Sequence, residues 1–367
     1  MTNPFRPGFG ESPTVWAGRA PILDNFARAV ETPGATGRTV LINGSRGIGK
    51  TALLNELEDI AATRGWIVLR APSHAAMLTE LVDHSLPAAL AKRTESPGRQ
   101  ITGISVAAIG SVTTQPAQPP QITQTLTSLL RRLAQAVPGV LITVDEVQAA
   151  HPSNLQHLAT SMQDAIRDDL PVAFAGAGLT AGVSALLDHP GTTFLRRSLR
   201  YQLAPLTLPD SIRLTNKTVE SSDKAITPHA AETLAARAHG YPYLIQLIGA
   251  LAWDLAGTTI TEQEVEEATN QAIPILGNQV HLPEVAALSH RQVDFLRAMA
   301  HVADREGTAR ISEVAAAMSA SVTSLSTARR ALIDADLLHA PAWGTLRFRL
   351  PYFREFLLGP GGPLEVA

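Results

Sequence analysis

Eight consecutive residues, Gly44-Ser45-Arg46-Gly47-Ile48-Gly49-Lys50-Thr51, follow the pattern G-x-x-x-x-G-K-T. Glycines at this spacing let backbone N–H groups wrap a chain of phosphates. A helix starting at the end of the loop adds partial positive charge at the same point. Lys50 is then placed to reach β- and γ-phosphates, and the Thr51 hydroxyl to ligate Mg²⁺. A second candidate lies downstream, where the apolar run Val140-Leu141-Ile142-Thr143-Val144 ends in Asp145-Glu146. A buried parallel strand delivers its C-terminal end to the ligand-binding edge of a sheet. In that position Asp145 is expected to bind Mg²⁺, through water, and Glu146 to polarise an attacking water as general base. The bland alternative is an acidic strand end that caps the next helix.

The elements that must hold these groups are legible as periodicities. Thr39 to Ile42 is a short β-branched run read as a buried strand, and it leads straight into the glycine loop. Residues 51–64 carry Leu53, Leu54, Leu57 and Ile60 at helical spacing, and 66–69 read as a second strand. Strand, helix and strand in this rhythm imply a parallel sheet with crossover helices. Further helices are expected at 71–93, 123–136 and 154–168. Further strands are expected at 139–144, 172–175 and 201–203, the strand from Val172 ending in Gly176-Ala177-Gly178. Residues 95–121, rich in Gly, Pro, Ser, Thr and Gln, read as an insertion that could form a β-hairpin. From Pro209 the strand signal fades, and 210–276 read as helical, with Thr261 and Glu264 spaced as a capping box. Residues 277–283 look like a linker. Beyond them come helices at 290–302 and 311–318, a third ending near Asp336, and two short strands flanking Pro341 to Gly344, the pattern of a winged helix.

The chain has 367 residues, too many for one small core, and 45% of them are apolar, so sizeable cores can form. The formal net charge of −3 gives no whole-chain sign of nucleic-acid binding. Cysteine is absent, which excludes disulfides, thiolate metal sites and a cysteine nucleophile, and fits a reducing, cytoplasmic location. The first residues lack the charged start and apolar stretch of a signal peptide. The most apolar later stretch, 241–257, is short for a membrane span and is interrupted by Gln246 and Asp254, so no membrane partner is expected.

The order of these features resembles the AAA+ and STAND-type ATPases, specifically archaeal-ATPase-like proteins related to origin-recognition initiators. The likeness rests on Trp16-Ala17-Gly18-Arg19 as an N-terminal box, the two motifs above, Gly240-Tyr241-Pro242 opening a lid helix, and the C-terminal winged helix. It implies an α/β fold: a P-loop parallel sheet with an extended N-terminal arm (1–208), a helical lid (209–280) and a winged-helix domain (281–367). It implies Mg²⁺-dependent ATP hydrolysis, with ATP and ADP as ligands and homo-oligomers as a possible state. It puts Arg19 beside the adenine and Pro242 against the base, although Pro242 would equally suit the first turn of a helix. It makes Arg197 an arginine finger for a neighbouring subunit, with Arg196 as fallback. Two departures imply slow turnover: Gly240 to Tyr243 has no lid arginine, and Gly176 to Gly178 has no polar sensor, Thr180 being nearest.

Arg329 and Arg330 on the third winged-helix helix, and Arg347 and Arg349 on the wing beside Trp343, could meet DNA phosphates. Yet residues 284–367 hold nine arginines, no lysine and nine acids, a formally neutral unit. Two functions therefore stay open: a DNA-associated switch ATPase, or a signalling or scaffold ATPase whose winged helix docks a protein or its own ATPase domain.

Overall fold

The computed structural model describes residues 2–8, 10, 13, 15–32, 34–94 and 122–359. The insertion expected at 95–121 lies outside the described residues. A five-stranded parallel sheet forms from β1 (Thr39–Asn43), β2 (Ile67–Arg70), β3 (Val140–Val144), β4 (Val172–Gly178) and β5 (Leu199–Gln202), in spatial order β2-β3-β4-β1-β5. β3 and β4 are buried along their whole length, as strands covered on both faces must be. The covering helices are α1 (Ala20–Glu31), α2 (Lys50–Thr63), α3 (a helical stretch over 77–94), α4 (Ile122–Ala136), α5 (Pro152–Arg167) and α6 (Thr180–Asp188).

The strand expected to end in Gly176-Ala177-Gly178 is β4, and it runs through Gly178 because pairing with β3 on one side and β1 on the other holds it extended despite poor β propensity. The helix expected from residue 71 begins only at Met77 and contains a π-helical turn, Glu80–Ser85. Just before it, the His74 ring accepts from the Ala76 N–H at 3.3 Å, a local bond that competes with helix formation.

The next unit packs α7 (Leu208–Glu220), α8 (Pro228–Arg237), α9 (Pro242–Leu255) and α10 (Glu262–Leu276), with α10 started by the Thr261–Glu264 capping box. Two tiny parallel strands, β6 (Ala225–Ile226) and β7 (Thr259–Ile260), tie the loops together where no strand was expected. The expected linker at 277–283 is helical instead, running through Gly277–His281 into Leu282–Ala286. Packing explains this: His281 is fully buried, edge-on to Phe353 and Phe356 at 5.1 and 5.2 Å.

The last unit holds α11 (His290–Val302), β8 (Thr308–Arg310), α12 (Ile311–Ala317), α13 (Ser326–Asp334), the hairpin β9 (Leu338–His339) and β10 (Thr345–Phe348), and α14 (Phe353–Leu358). Its sheet has three strands, β8-β10-β9, one more than the expected wing. One apolar core runs from the sheet through the lid helices into this unit. Among the described residues no helix is long and apolar enough to cross a membrane.

Candidate nucleotide site

The loop between β1 and α2 is the seed of the site. Gly47 and Gly49 adopt φ of 72° and 93°, which side chains disfavour, and Gly49 is the N-cap of α2. Lys50 is only 6% exposed, and its ammonium donates to the Ser45 carbonyl at 3.0 Å. Burial pushes the Lys50 pKa down, and the Glu146, Asp145 and Asp336 carboxylates oppose that shift. The Thr51 hydroxyl donates to Asp145 Oδ2 at 2.7 Å. Glu146 sits at φ 47°, a left-handed conformation uncommon for a side-chain-bearing residue, and its N–H donates to Asp145 Oδ1 at 2.8 Å.

These groups wall a cavity of about 440 Å³. Its other wall is apolar and comes from Val15, Trp16 and Ala17, from Leu206 and Leu214, and from Pro242. A planar ring against such a wall and phosphates on the loop are the two halves of a nucleotide. α9 points its N-terminus at the loop, with the Tyr243 N–H 3.4 Å from the Gly47 carbonyl. Two helix N-termini, those of α2 and α9, thus converge on one spot and favour anions there.

Arg19 and Pro242 both line this cavity. Arg19 is half-buried and donates to the Ala204 carbonyl at 2.6 Å, so it also ties the N-terminal box to the chain after β5. Pro242 is the first residue of α9. Arg46 forms an ion pair with Glu284, whose carboxyl burial pushes to a higher pKa. Ile48 is buried beneath the loop, and Ser45 Oγ is 3.0 Å from the Tyr241 hydroxyl, which donates to the Arg349 carbonyl at 2.8 Å. Arg197 is exposed outside the cavity, whereas Arg196 is committed to the Leu187 carbonyl at 2.7 Å. The Thr180 N–H donates to Asp336 Oδ2 at 3.0 Å.

The wing arginines are mostly engaged within their own unit. Arg330 pairs with Asp334, Arg347 with Glu306, and Arg349 with the buried Asp336 at 3.1 Å. Arg329 lies half-buried on α13, and Trp343 at the wing tip is fully exposed.

The expected N-terminal arm is docked on the lid helix α9, a contact that sequence reasoning did not foresee. Phe5 is 4% exposed and packs where a Cβ on Gly249 of α9 would lie 2.3 Å from its ring. Asn3 donates to the Ala250 carbonyl at 3.0 Å, and the Arg6 N–H to Gln246 Oε1 at 2.8 Å. Two phenylalanines among prolines and glycines carry no periodicity that would reveal this docking.

Known proteins resemble this chain at two levels, domain sequence and overall fold. Residues 15–174 match the AAA ATPase domain family, and residues 278–357 match a domain of unknown function, DUF8462. No curated protein matches. The ORC2 protein of Aeropyrum pernix, solved as ADPNP–ADP complexes, has a similar fold over 94% of this chain and 92% of its own, at 16% identity and a TM-score of 0.63. The Walker-type ATPase PABY2304 of Pyrococcus abyssi is similar over 93% of this chain and 95% of its own, at 14% identity and a TM-score of 0.66.

Proposed function

We propose, on the premise that residues 15–174 form an AAA ATPase domain, that this chain is a slow ATP-hydrolysing switch whose C-terminal unit docks on its own nucleotide site. The observation that carries the docking is a set of contacts converging from that side. Glu284 pairs with Arg46 of the loop, Asp336 accepts from Thr180 at the end of β4, and Tyr241 links Ser45 to Arg349.

In this reading the Gly44–Thr51 loop and Lys50 bind the phosphates, and the wall of Trp16, Leu206, Leu214 and Pro242 holds the base, with Arg19 at its rim. The Thr51 hydroxyl and the Asp145 carboxylate are hard oxygen donors side by side, a donor pair that suits Mg²⁺. When bound there, the ion would offset charge on the β- and γ-phosphates. Glu146 accepts a proton from water as the water oxygen bonds to the γ-phosphorus and the bond to the β-phosphate oxygen breaks. Arg197, exposed on the surface, is the candidate for donation to a second copy.

The test separates binding from chemistry. Glu146→Gln should keep ATP affinity by calorimetry and lower the steady-state rate by about 10²-fold or more. An unchanged rate removes Glu146 from the mechanism.

DNA association is the second reading, and the exposed Trp343 at the wing tip supports it. Binding of duplex DNA across a salt series, with and without ATP, decides this. Loss of phosphate contacts should flatten the slope of log K against log salt by about 0.9 per contact.

A further inference from the structure

We infer that Gln148 is a positioning residue for the hydrolytic base, an inference that rests on the reading of Glu146 as that base. The Gln148 side chain bridges two fixed points. Its Nε2 donates to Glu146 Oε2, and its Oε1 accepts from the Leu179 N–H at 3.2 Å. The second point is a backbone group just past the end of β4, a central strand clamped between β3 and β1. The base is therefore referenced to the most rigid part of the sheet, rather than to the short turn that carries it.

The surroundings are shaped to this side chain. A Cβ on Gly178 would lie 2.3 Å from Gln148 Oε1, and one on Gly182 would lie 2.3 Å from Gln148 Cβ. Glycine at both positions leaves room for the amide to lie against β4 and α6. The chemistry then selects the residue type. An amide of this length donates at one end and accepts at the other; a carboxylate cannot donate and an aliphatic chain can do neither. Tying Oε2 fixes the carboxylate plane and leaves the second oxygen as the acceptor for the water's proton. Without that tie, Glu146 would rotate on a backbone already in a left-handed conformation, and displacements of about 1 Å in such a group can cost on the order of 10²-fold in rate.

One residue further on, the Thr180 N–H is taken by Asp336 of the C-terminal unit. Adjacent N–H groups at the end of β4 thus hold the base on one side and the docked unit on the other.

The decisive variant is Gln148→Glu. It has the same shape and keeps an acceptor for the Leu179 N–H, so packing is preserved, but it cannot donate to Glu146 and places a like charge beside it. Steady-state hydrolysis and ATP calorimetry should show kcat lowered about tenfold or more, with ATP affinity unchanged. Gln148→Ala should do the same if it folds, and circular dichroism melting checks that. A wild-type kcat in Gln148→Glu overturns the assignment, as does a loss confined to ATP affinity. Glu146→Gln is run alongside. If it abolishes turnover while Gln148→Glu does not, only the positioning role fails; if it leaves turnover intact, the base and its positioning residue both fall.

Discussion

Two cavities lie on either side of the contact between Ser45 and Tyr241, and they differ in kind. The one lined by the glycine loop encloses about 440 Å³; the one between the end of β5, the lid and the wing encloses about 810 Å³. The larger cavity has more arginines, yet three of its four are accounted for. Arg347 faces Glu306, Arg349 faces Asp336, and Arg354 donates to the Ala300 carbonyl at 3.0 Å. The smaller cavity holds Lys50, nearly buried, donating to a neutral carbonyl and, among the described residues, engaged in no ion pair. Size therefore does not mark the site. A buried cation with no direct carboxylate partner does, because the Glu146, Asp145 and Asp336 charges offset its desolvation only in part and an arriving anion can complete the balance. The larger cavity reads as a joint between units.

The sharpest break in this comparison would come from outside both cavities. Arg197→Ala should lower ATP turnover about 10³-fold while leaving ATP affinity unchanged, if an arginine is donated across an interface. Specific activity should then rise with protein concentration. Concentration-independent activity with a wild-type rate for the variant shows that no finger comes from this segment.

The joint itself should be sensitive to acid. Burial lowers the pKa of His281, packed against Phe353 in the wall of the larger cavity, from 6.5 to about 4. A histidine whose folded pKa is lowered takes up its proton in the unfolded chain first. Stability is therefore whole above pH 6.5 and is lost as pH falls toward 4, by on the order of 3 kcal/mol at the low end. Denaturant melts at pH 7 and pH 4.5 check this, and His281→Phe should remove most of the difference. A variant with the same pH dependence as the parent would clear His281 of the effect.

Lys50→Ala should weaken ATP binding by about 10- to 100-fold, the scale of one or two charge-assisted hydrogen bonds. Arg305→Ala, in the larger cavity, should leave ATP affinity alone. Calorimetry showing the reverse pattern would exchange the roles assigned to the two cavities.

The smallest effect belongs to the contact that joins loop and connector. Glu284 carries a negative charge next to the phosphate loop, and its partner Arg46 is half exposed. Glu284→Ala should tighten ATP binding about fivefold, the upper end of what a partly solvated ion pair is worth. An unchanged affinity would mean that docking of the C-terminal unit is insensitive to the nucleotide.

The glycine loop, Asp145-Glu146 and the parallel sheet were readable because each is local. A phosphate loop needs glycine and lysine at fixed offsets in one stretch of chain, and a strand buried on both faces must be apolar throughout. The Thr261–Glu264 cap was readable for the same reason, since its partners are three residues apart. Long-range partners were not. Nothing local to Phe5 predicts that it packs on Gly249, or that Glu284 meets Arg46, because those pairs are brought together only when helices pack. The same holds for residues 277–283, whose glycine and proline suggest a break while burial of His281 keeps them helical. Gln148 lies between the two cases. It is two residues from Glu146 in sequence, but its role depends on Leu179, Gly178 and Gly182, which reach it only because β4 lies beside β3. Sequence alone named the groups that could meet a nucleotide; folding decided which carboxylates, carbonyls and amides hold those groups in place, since such contacts depend on distance in space rather than along the chain.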